Sequence, residues 1–482
     1  MRASDKNLTV LSEAERVALY GLPDFDDFQR AEYFALTNEE RTLAQRRNGV
    51  PEQILCMLQI GYFKAKQAFF NVALADTPQE DIDFLLRCYF PGERFSPTPI
   101  RRAEYYVQCG EIARLYGYRL WSEPLAPLLT KRAAQLALRD VTPAFILTEL
   151  VAFLNHQKIV RPGYTTLRAI IVDALAAERR RLAGLVDGVL DDAGKSALQQ
   201  LLVREDALSG LATIKQDAKH FGYRMMVLER RKRDTLEPLY RLAQTLLPKL
   251  GISQQNLNYY ASLVHYYTIY DLRRLKPGQT YLYLLCYAWQ RYRQLGDNLV
   301  DALGYHMKRL EESTKESAEK LFSQLQANKQ RESPQVGRLL LLYVGDDFND
   351  ATPFGTVRQH AFGIMPKDTV LVTGQRLCER PVSQMELRWK SMDRLSARCK
   401  MHLRPLAMAL EFSSTAADSP WLAALRWMKD IFSRQQRLAQ RPVGEIPDGT
   451  IPKRLRPHLL DTDANGNATS LRGDRYEFWV YR

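Results

Sequence analysis

Two stretches of the chain carry residue types that could do bond-making chemistry. "LLYVGDDFND" (341–350) sets Asp346 and Asp347 after an apolar run. A metal-dependent nuclease places its first carboxylate that way, at the end of a strand. Two-metal chemistry on phosphodiesters needs further carboxylates brought in from elsewhere, and no downstream strand ends in a matching acid. "DTDANGN" (461–467) opens like an EF-hand loop, with Asp461, Asp463, Asn465 and Gly466 in place. The twelfth position, where calcium takes a bidentate glutamate, is Arg472. The seven histidines show no ligand spacing, none of the six cysteines forms CxxC, and no P-loop or GxSxG is present. No catalytic residues, metal or cofactor are therefore expected in this chain.

The remaining chemistry is that of binding. The net charge is +13 and the isoelectric point about 9.3, which suits a polyanionic partner but is shared by ribosomal and membrane-surface proteins. The distribution is more informative. Residues 1–40 carry nine acids against four bases, and residues 94–139 carry eight bases against three acids. In "TPIRRAEYYVQCGEIARLYGYRLW", Arg101, Arg102, Arg114 and Arg119 are interleaved with Tyr105, Tyr106, Tyr116 and Tyr118. Basic and aromatic side chains together suit nucleic acid; the tyrosines suit a core equally well. Two denser clusters follow, Arg179-Arg180-Arg181 and Arg230-Arg231-Lys232-Arg233. Such clusters bind phosphates without sequence preference, or lie as solvated helix faces or helix ends favoured by the dipole.

These residues need elements to position them, and the periodicity is helical almost throughout. Ser12–Glu15 and Thr37–Glu40 are capping boxes. Thr98-Pro99, Thr142-Pro143 and Ser419-Pro420 each put a capping residue before a proline at the first helical position. "TVLVTG" (369–374) is the best strand candidate, "LLLLYV" (339–344) fits strand or helix, and no β-hairpin is expected. One helix is predicted from about Pro143 to His156, a turn at Arg161-Pro162-Gly163, and a second helix from near Thr165. Leu167, Ile170, Ile171, Ala174 and Leu175 form its apolar stripe, with Thr165, Thr166 and Arg168 off the stripe at its N-terminal end. A helix-turn-helix reader uses its second helix in this way; an ordinary helical hairpin fits the same pattern. Further on, Leu282, Leu285, Trp289, Tyr292, Gly296, Leu299 and Leu303 alternate by three and four. That is the rhythm of a paired helix, which serves dimerisation or packing within one chain.

The fold class expected is mostly α and multidomain, with helix-turn-helix-like DNA-binding modules and a long-helix dimerisation region. Four blocks are predicted: residues 1–140 and 141–240 as DNA-binding domains, 241–375 as a dimerisation arm, and 376–482 as a helical region. No apolar run approaches 18 residues, so no transmembrane helix is expected. The scattered cysteines and the acidic N-terminus point to a reduced, cytosolic protein. The chain ends on "LRGDRYEFWVYR", an aromatic-rich helix where termini are usually polar.

The opening "LTVLSEAERVALYGLPDFDDFQRAEYFALTNEERTLAQRRN" resembles the start of transposases of replicative class II transposons, the Tn-three family. The similarity continues through "IRRAEYYVQCGEIARLYGYRLW", "LVAFLNHQKIVRPGYTTLRAIIVDAL" and "YLLCYAWQRYRQLGDNLVDALGYHMKRL" to "DTDANGNATSLRGDRYEFWVYR". The resemblance implies a bacterial, nucleoid-associated protein that binds double-stranded DNA at terminal inverted repeats and self-associates as a dimer. It implies Mg²⁺ chemistry in a catalytic half, with an RNase H-like fold and a triad of acids, that lies outside this chain. The aromatics of "YEFWVYR" would then belong to a helix whose packing partners are missing. The DNA-contacting residues expected are Arg101, Arg102, Arg114, Arg119, Arg161, Thr165, Thr166, Arg168, Arg179, Arg180, Arg181, Arg230, Arg231, Lys232 and Arg233. Two other readings fit the composition: a helical scaffold whose basic surface meets acidic protein, and a truncated regulator that occupies transposon ends.

Overall fold

The computed structural model describes residues 10–71, 73–203, 210–379, 381–416 and 419–482. Among them are twenty-one α-helices and one two-stranded sheet, so the protein is mostly α. It divides into two compact units. One takes the chain up to Lys215 together with Glu237–Arg291; the other takes Gln216–Leu236 with Tyr292–Arg482. The Tyr223–Leu246 helix and the 65-residue Pro277–Leu341 helix each contribute residues to both.

In the first unit, the Val50–Lys66 helix is the centre of the N-terminal core. Ten consecutive residues, Ile54 to Phe63, are buried. Gly61 is needed there because a Cβ would lie 2.3 Å from the ring of the fully buried Phe34. Phe25, Tyr62, Phe70 and Phe84 complete an aromatic cluster around Phe34. Three further helices, Ala126–Arg139, Pro143–His156 and Tyr164–Val189, pack on one another. Leu167, Ile170, Ile171, Ala174 and Leu175 are all buried along the third, so the apolar stripe forms as its spacing predicts. The capping boxes at Ser12 and Thr37 also form. Thr98-Pro99 does not start a helix: the next one begins at Arg102 after an extended segment.

The periodic positions 282–303 do not make a free seam. Leu282, Leu285 and Leu299 have no exposed surface and are covered by this same chain. Trp289 stacks on Tyr240 at 4.9 Å, Tyr292 lies under Arg233, Gly296 is half-buried, and Leu303 packs on buried core of the second unit. The dimerisation expected at these residues is therefore corrected to packing within the chain. "TVLVTG" is likewise not a strand. It lies in the Lys367–Cys378 helix, entered through Pro366, and Glu332 of the long helix takes Arg376 at 3.0 Å. The apolar run 339–344 finishes the long helix at Leu341, and Asp346 and Asp347 sit in the turn beyond it.

The expected absence of a hairpin is also overturned. Leu460–Thr462 and Ala468–Leu471 pair antiparallel. The acids of "DTDANGN" shape its turn: the Asp463 carboxylate accepts from the backbone N–H of Asn465 (2.9 Å) and of Asn467 (2.8 Å), and Gly466 takes the left-handed φ of 82°.

The C-terminal helix, Gly473–Tyr481, does have packing partners. It lies against the Gln384–Ala409 and Pro420–Ser433 helices. Tyr476 is fully buried with its ring edge-on to Trp427, Phe478 meets Trp389, and Trp421 donates to the Val480 carbonyl. Arg404 grips the buried Glu477 with two hydrogen bonds (2.8 and 2.5 Å), and Arg475 grips Asp393 (2.8 and 2.6 Å). The expectation of missing partners failed because they lie 45–90 residues upstream in sequence, beyond the reach of any local pattern. Burial pushes the Tyr476 phenol up to about 12. Because its ring leaves a large hole when removed, Tyr476→Ala should cost about 3–5 kcal/mol, read by urea unfolding followed through tryptophan fluorescence. A loss below about 1 kcal/mol would contradict this packing.

Candidate nucleic-acid interface

The Arg102–Leu115 helix carries the clearest basic surface. One face is core: Tyr105, Gln108, Cys109, Ile112 and Ala113 are buried. Its two flanking acids, Glu104 and Glu111, both pair with Arg47 of the neighbouring chain segment. The opposite line, Arg102, Tyr106, Gly110 and Arg114, repeats every four residues and so forms one stripe. The Arg102 guanidinium lies 5.6 Å over the Tyr106 ring and donates to its hydroxyl at 3.1 Å. The side chain of Arg114 folds back so that Nε donates to the Gly110 carbonyl at 3.2 Å. At about 1.5 Å per residue, the stripe runs ~18 Å, roughly half a turn of B-form DNA.

The stripe continues past the helix. Arg119 exchanges backbone hydrogen bonds with the turn of the following hairpin: its N–H donates to Lys158 O (2.8 Å) and its carbonyl accepts from Val160 N–H (2.9 Å). Lys158, a cation absent from the residues expected to bind DNA, approaches Gly117. Arg101, Arg102, Arg114 and Arg119 are all exposed. Of the four interleaved tyrosines only Tyr106 faces water. Tyr105 is buried, Tyr116 donates to Glu40, and Tyr118 packs edge-on against Phe63. Spacing carried the signal for Tyr106, which repeats with 102 and 114 inside the helix; Tyr118 keeps the same interval but lies beyond the helix end at Leu115.

The hairpin is present, with residues 157–163 between its helices. Arg161 is a structural clip, and its expected DNA contact is corrected. It donates to Leu19 O (2.9 Å) and Lys66 O (3.1 Å) and lies over the Tyr20 ring. Burial depresses its pKa. With Lys66, which donates to Ala18 O and Gly21 O, it caps the orphan carbonyls ending the Glu13–Tyr20 helix. At the start of the second hairpin helix, Thr165 is exposed and Thr166 and Arg168 are half-buried, beside the edge contact of Tyr164 with Tyr20.

The two dense clusters come apart. Arg181 is held by the buried Glu178 through two hydrogen bonds (2.7 and 2.8 Å). Arg179 turns into a small cleft with Tyr259 and Tyr260. Arg180 is exposed. In the second unit, Arg230 and Arg231 are exposed but Lys232 is buried. Its ammonium donates to Glu229 (2.7 Å) and to the Gln216 carbonyl (2.7 Å), and Asn298 holds the other oxygen of Glu229. Arg233 donates to Ala409 O (2.8 Å) and lies 4.6 Å over Tyr292. DNA contact by Lys232 and Arg233 is therefore corrected to a structural role: each sits on the inward side of its helix, where a cation needs a partner.

Among the described residues there is no group of three or more His, Cys, Asp or Glu able to hold a metal, and no helix long and apolar enough to cross a membrane. Four of the six cysteines are buried and all are free.

With this geometry in hand, a protein-family model described as a domain of unknown function (DUF4158) matches residues 10–174, the part that carries the stripe and most of the hairpin. The chain is 22% identical over 312 residues to the transposase for transposon Tn21 of Escherichia coli. The match takes in 61% of this chain and 30% of that protein. The chain thus spans well under half of that relative's length. The two similarities support a relationship to transposases.

Lys232→Ala strands the buried carboxylate of Glu229 and should cost about 3–5 kcal/mol. Arg230→Ala with Arg231→Ala should stay within about 0.5 kcal/mol per site. Equal losses in the two variants, measured by chemical unfolding, would contradict this division of the cluster.

Proposed function

We propose that this chain binds double-stranded DNA in transposition, at the terminal inverted repeats of a replicative class II transposon of the Tn-three family. The single observation that carries the reading is the stripe of Arg102, Tyr106, Arg114 and Arg119, exposed and with its flanking acids already neutralised by Arg47. The similarity to a transposase supports it. In this reading the stripe neutralises backbone phosphates, with Tyr106 adding an aromatic face, and Arg101 and Lys158 extend it. Thr165, Thr166 and Arg168, at the head of the second hairpin helix, are the residues proposed to reach base edges. Arg180, Arg230 and Arg231 remain as exposed cations for backbone contact. Strand cutting and joining with Mg²⁺ is assigned to a catalytic region outside this chain.

We also place self-association in the second unit, away from 282–303. Leu340, Leu341, Val344, Phe354, Leu371 and Val372 are large, apolar and exposed, and water-facing apolar surface of this kind marks protein contacts.

Titration of a labelled inverted-repeat duplex at several salt concentrations tests the DNA reading. Each phosphate contact contributes about −0.9 to the slope of log affinity against log salt. Arg102→Ala with Arg114→Ala and Arg119→Ala should flatten the slope by about 2–3 and weaken random and specific duplexes alike. The wild type with Mg²⁺ should shift the duplex and leave it uncut. An unchanged slope in the triple variant would remove the stripe from the interface. Binding that is insensitive to salt would favour an acidic protein partner instead.

For self-association, Leu341→Asp with Leu371→Asp should lower the sedimentation mass at tens of micromolar. A wild type that is already monomeric there would contradict it.

A further inference from the structure

The second unit contains a cavity that the DNA reading does not use. It measures about 470 Å³, within the range of small-ligand sites. Three segments of the unit line it. His220 and Phe221 lie just before the Tyr223–Leu246 helix; Tyr305, His306, Arg309 and Ser313 lie on the long helix; Arg398 and His402 lie on the Gln384–Ala409 helix. Five of these eight residues are cationic or can become so, and among the described residues no carboxylate lines the space.

The polar groups are arranged and incompletely used. The rings of His306 and His402 stack with centroids 4.6 Å apart and planes 18° from parallel. His306 Nε2 lies 2.6 Å from the Phe221 carbonyl, so that nitrogen carries the proton and donates. Nδ1 of His402 is buried and has no hydrogen-bond partner among the described residues, while the Tyr223 ring meets the imidazole edge-on. Arg309 is steadied by one hydrogen bond to Tyr305 Oη (3.0 Å), which leaves most of its five donors for another acceptor.

We propose that this cavity is a binding site for the phosphate group of a nucleotide, with Arg309 and Arg398 donating to its oxygens and the His402 imidazole adding positive charge beside them. An oxyanion answers each feature in turn. It supplies the negative charge that the lining lacks and accepts the forked hydrogen bonds of guanidinium groups. It also sets an anion beside the His402 imidazole, which favours the charged form of that ring. The space exceeds what a bare phosphate needs, and the exposed ring of Tyr305 in the wall offers a face for a base. The same chemistry serves a phosphodiester within a strand and the phosphate of a free nucleotide.

Proton binding is coupled to this site. Burial first, then His306, Arg398 and Arg309, holds His402 below its ordinary pKa. The charged groups facing it are thus all basic: His306 and Arg309 from the long helix and Arg398 from its own, with Tyr223 on its edge. A bound phosphate favours the charged imidazole, so binding takes up a proton and strengthens as pH falls. In the ligand-free protein the sign is the reverse. A folded pKa below the unfolded one means that the unfolded chain protonates first, so stability present above about pH 6.5 is lost below it.

The test is calorimetric titration of the full chain with the dinucleotide d(ApA), whose single phosphodiester does not titrate, with deoxyadenosine 5′-monophosphate, and with deoxyadenosine. At least one phosphate-bearing probe should bind saturably, at least about threefold more tightly at pH 6 than at pH 8, and deoxyadenosine should not. Preference for d(ApA) assigns the site to strand backbone, and preference for the monophosphate to a free nucleotide. Arg309→Gln with Arg398→Gln should weaken binding about tenfold or more, and His402→Gln should flatten the pH dependence. Should the double variant unfold, Arg398→Gln alone, at an exposed position, gives the same reading. The stripe variant Arg102→Ala with Arg114→Ala and Arg119→Ala should bind these probes as the wild type does, which separates this site from the DNA reading. The proposal is overturned if neither phosphate probe binds, or if the folded arginine variants bind as tightly as the wild type.

Discussion

A cation removed from water must be given a partner, and that constraint sorts the basic residues of this chain. Arg161 finds two carbonyls, Lys232 a carboxylate and a carbonyl, Arg233 a carbonyl and a ring, and Arg404 the carboxylate of Glu477. Each ties together segments that are distant in sequence. Arg161 joins the first described helix to the hairpin, and Arg404 locks the last helix into the second core. Buried pairs of this kind add little net stability over apolar packing, but removing one member is costly. They therefore specify which segments meet more than they hold the fold together.

The same sorting defines the surface. Arg47 takes up both acids on the flank of the Arg102–Leu115 helix, so the outward stripe has no acids of its own helix to lower its field. Without Arg47, Glu104 and Glu111 would lie within a turn of Tyr106 and Arg114 and would oppose phosphate binding. The aromatic core beneath fixes the helix's rotation, because Tyr105, Cys109 and Ile112 can face only inward. Packing, charge neutralisation and the surface proposed to bind DNA are thus one arrangement seen from three sides.

Much of this was legible in the sequence where the signal is local. The helical class, the capping boxes at Ser12 and Thr37, the hairpin and its Leu167–Leu175 stripe follow from spacing within one element. The stripe of Arg102, Arg114 and Arg119 also stood out by composition. What escaped depends on contacts between distant segments. Runs such as 179–181 and 230–233 look uniform in sequence, yet helix rotation sends neighbours to opposite sides, so Arg230 meets water while Lys232 meets Glu229. The rhythm of 282–303 is real, but periodicity does not say which surface covers it. "TVLVTG" has strand-like composition and became a helix because Pro366 starts one and Glu332 receives Arg376. The cavity around His306 and His402 had no sequence signature, since its histidines are separated by 96 positions (402 − 306).

Partner-making divides the structural cations of this chain from those proposed to meet DNA. Arginine modification with phenylglyoxal, read residue by residue by mass spectrometry on the folded chain with and without an inverted-repeat duplex, tests it most directly. The account predicts that Arg102, Arg114 and Arg119 react in the free protein and are protected by the duplex, while Arg161 and Arg233 resist modification in both states. Reaction of Arg161 and Arg233 as fast as that of Arg114, or saturating duplex that leaves Arg102, Arg114 and Arg119 unprotected, would contradict it.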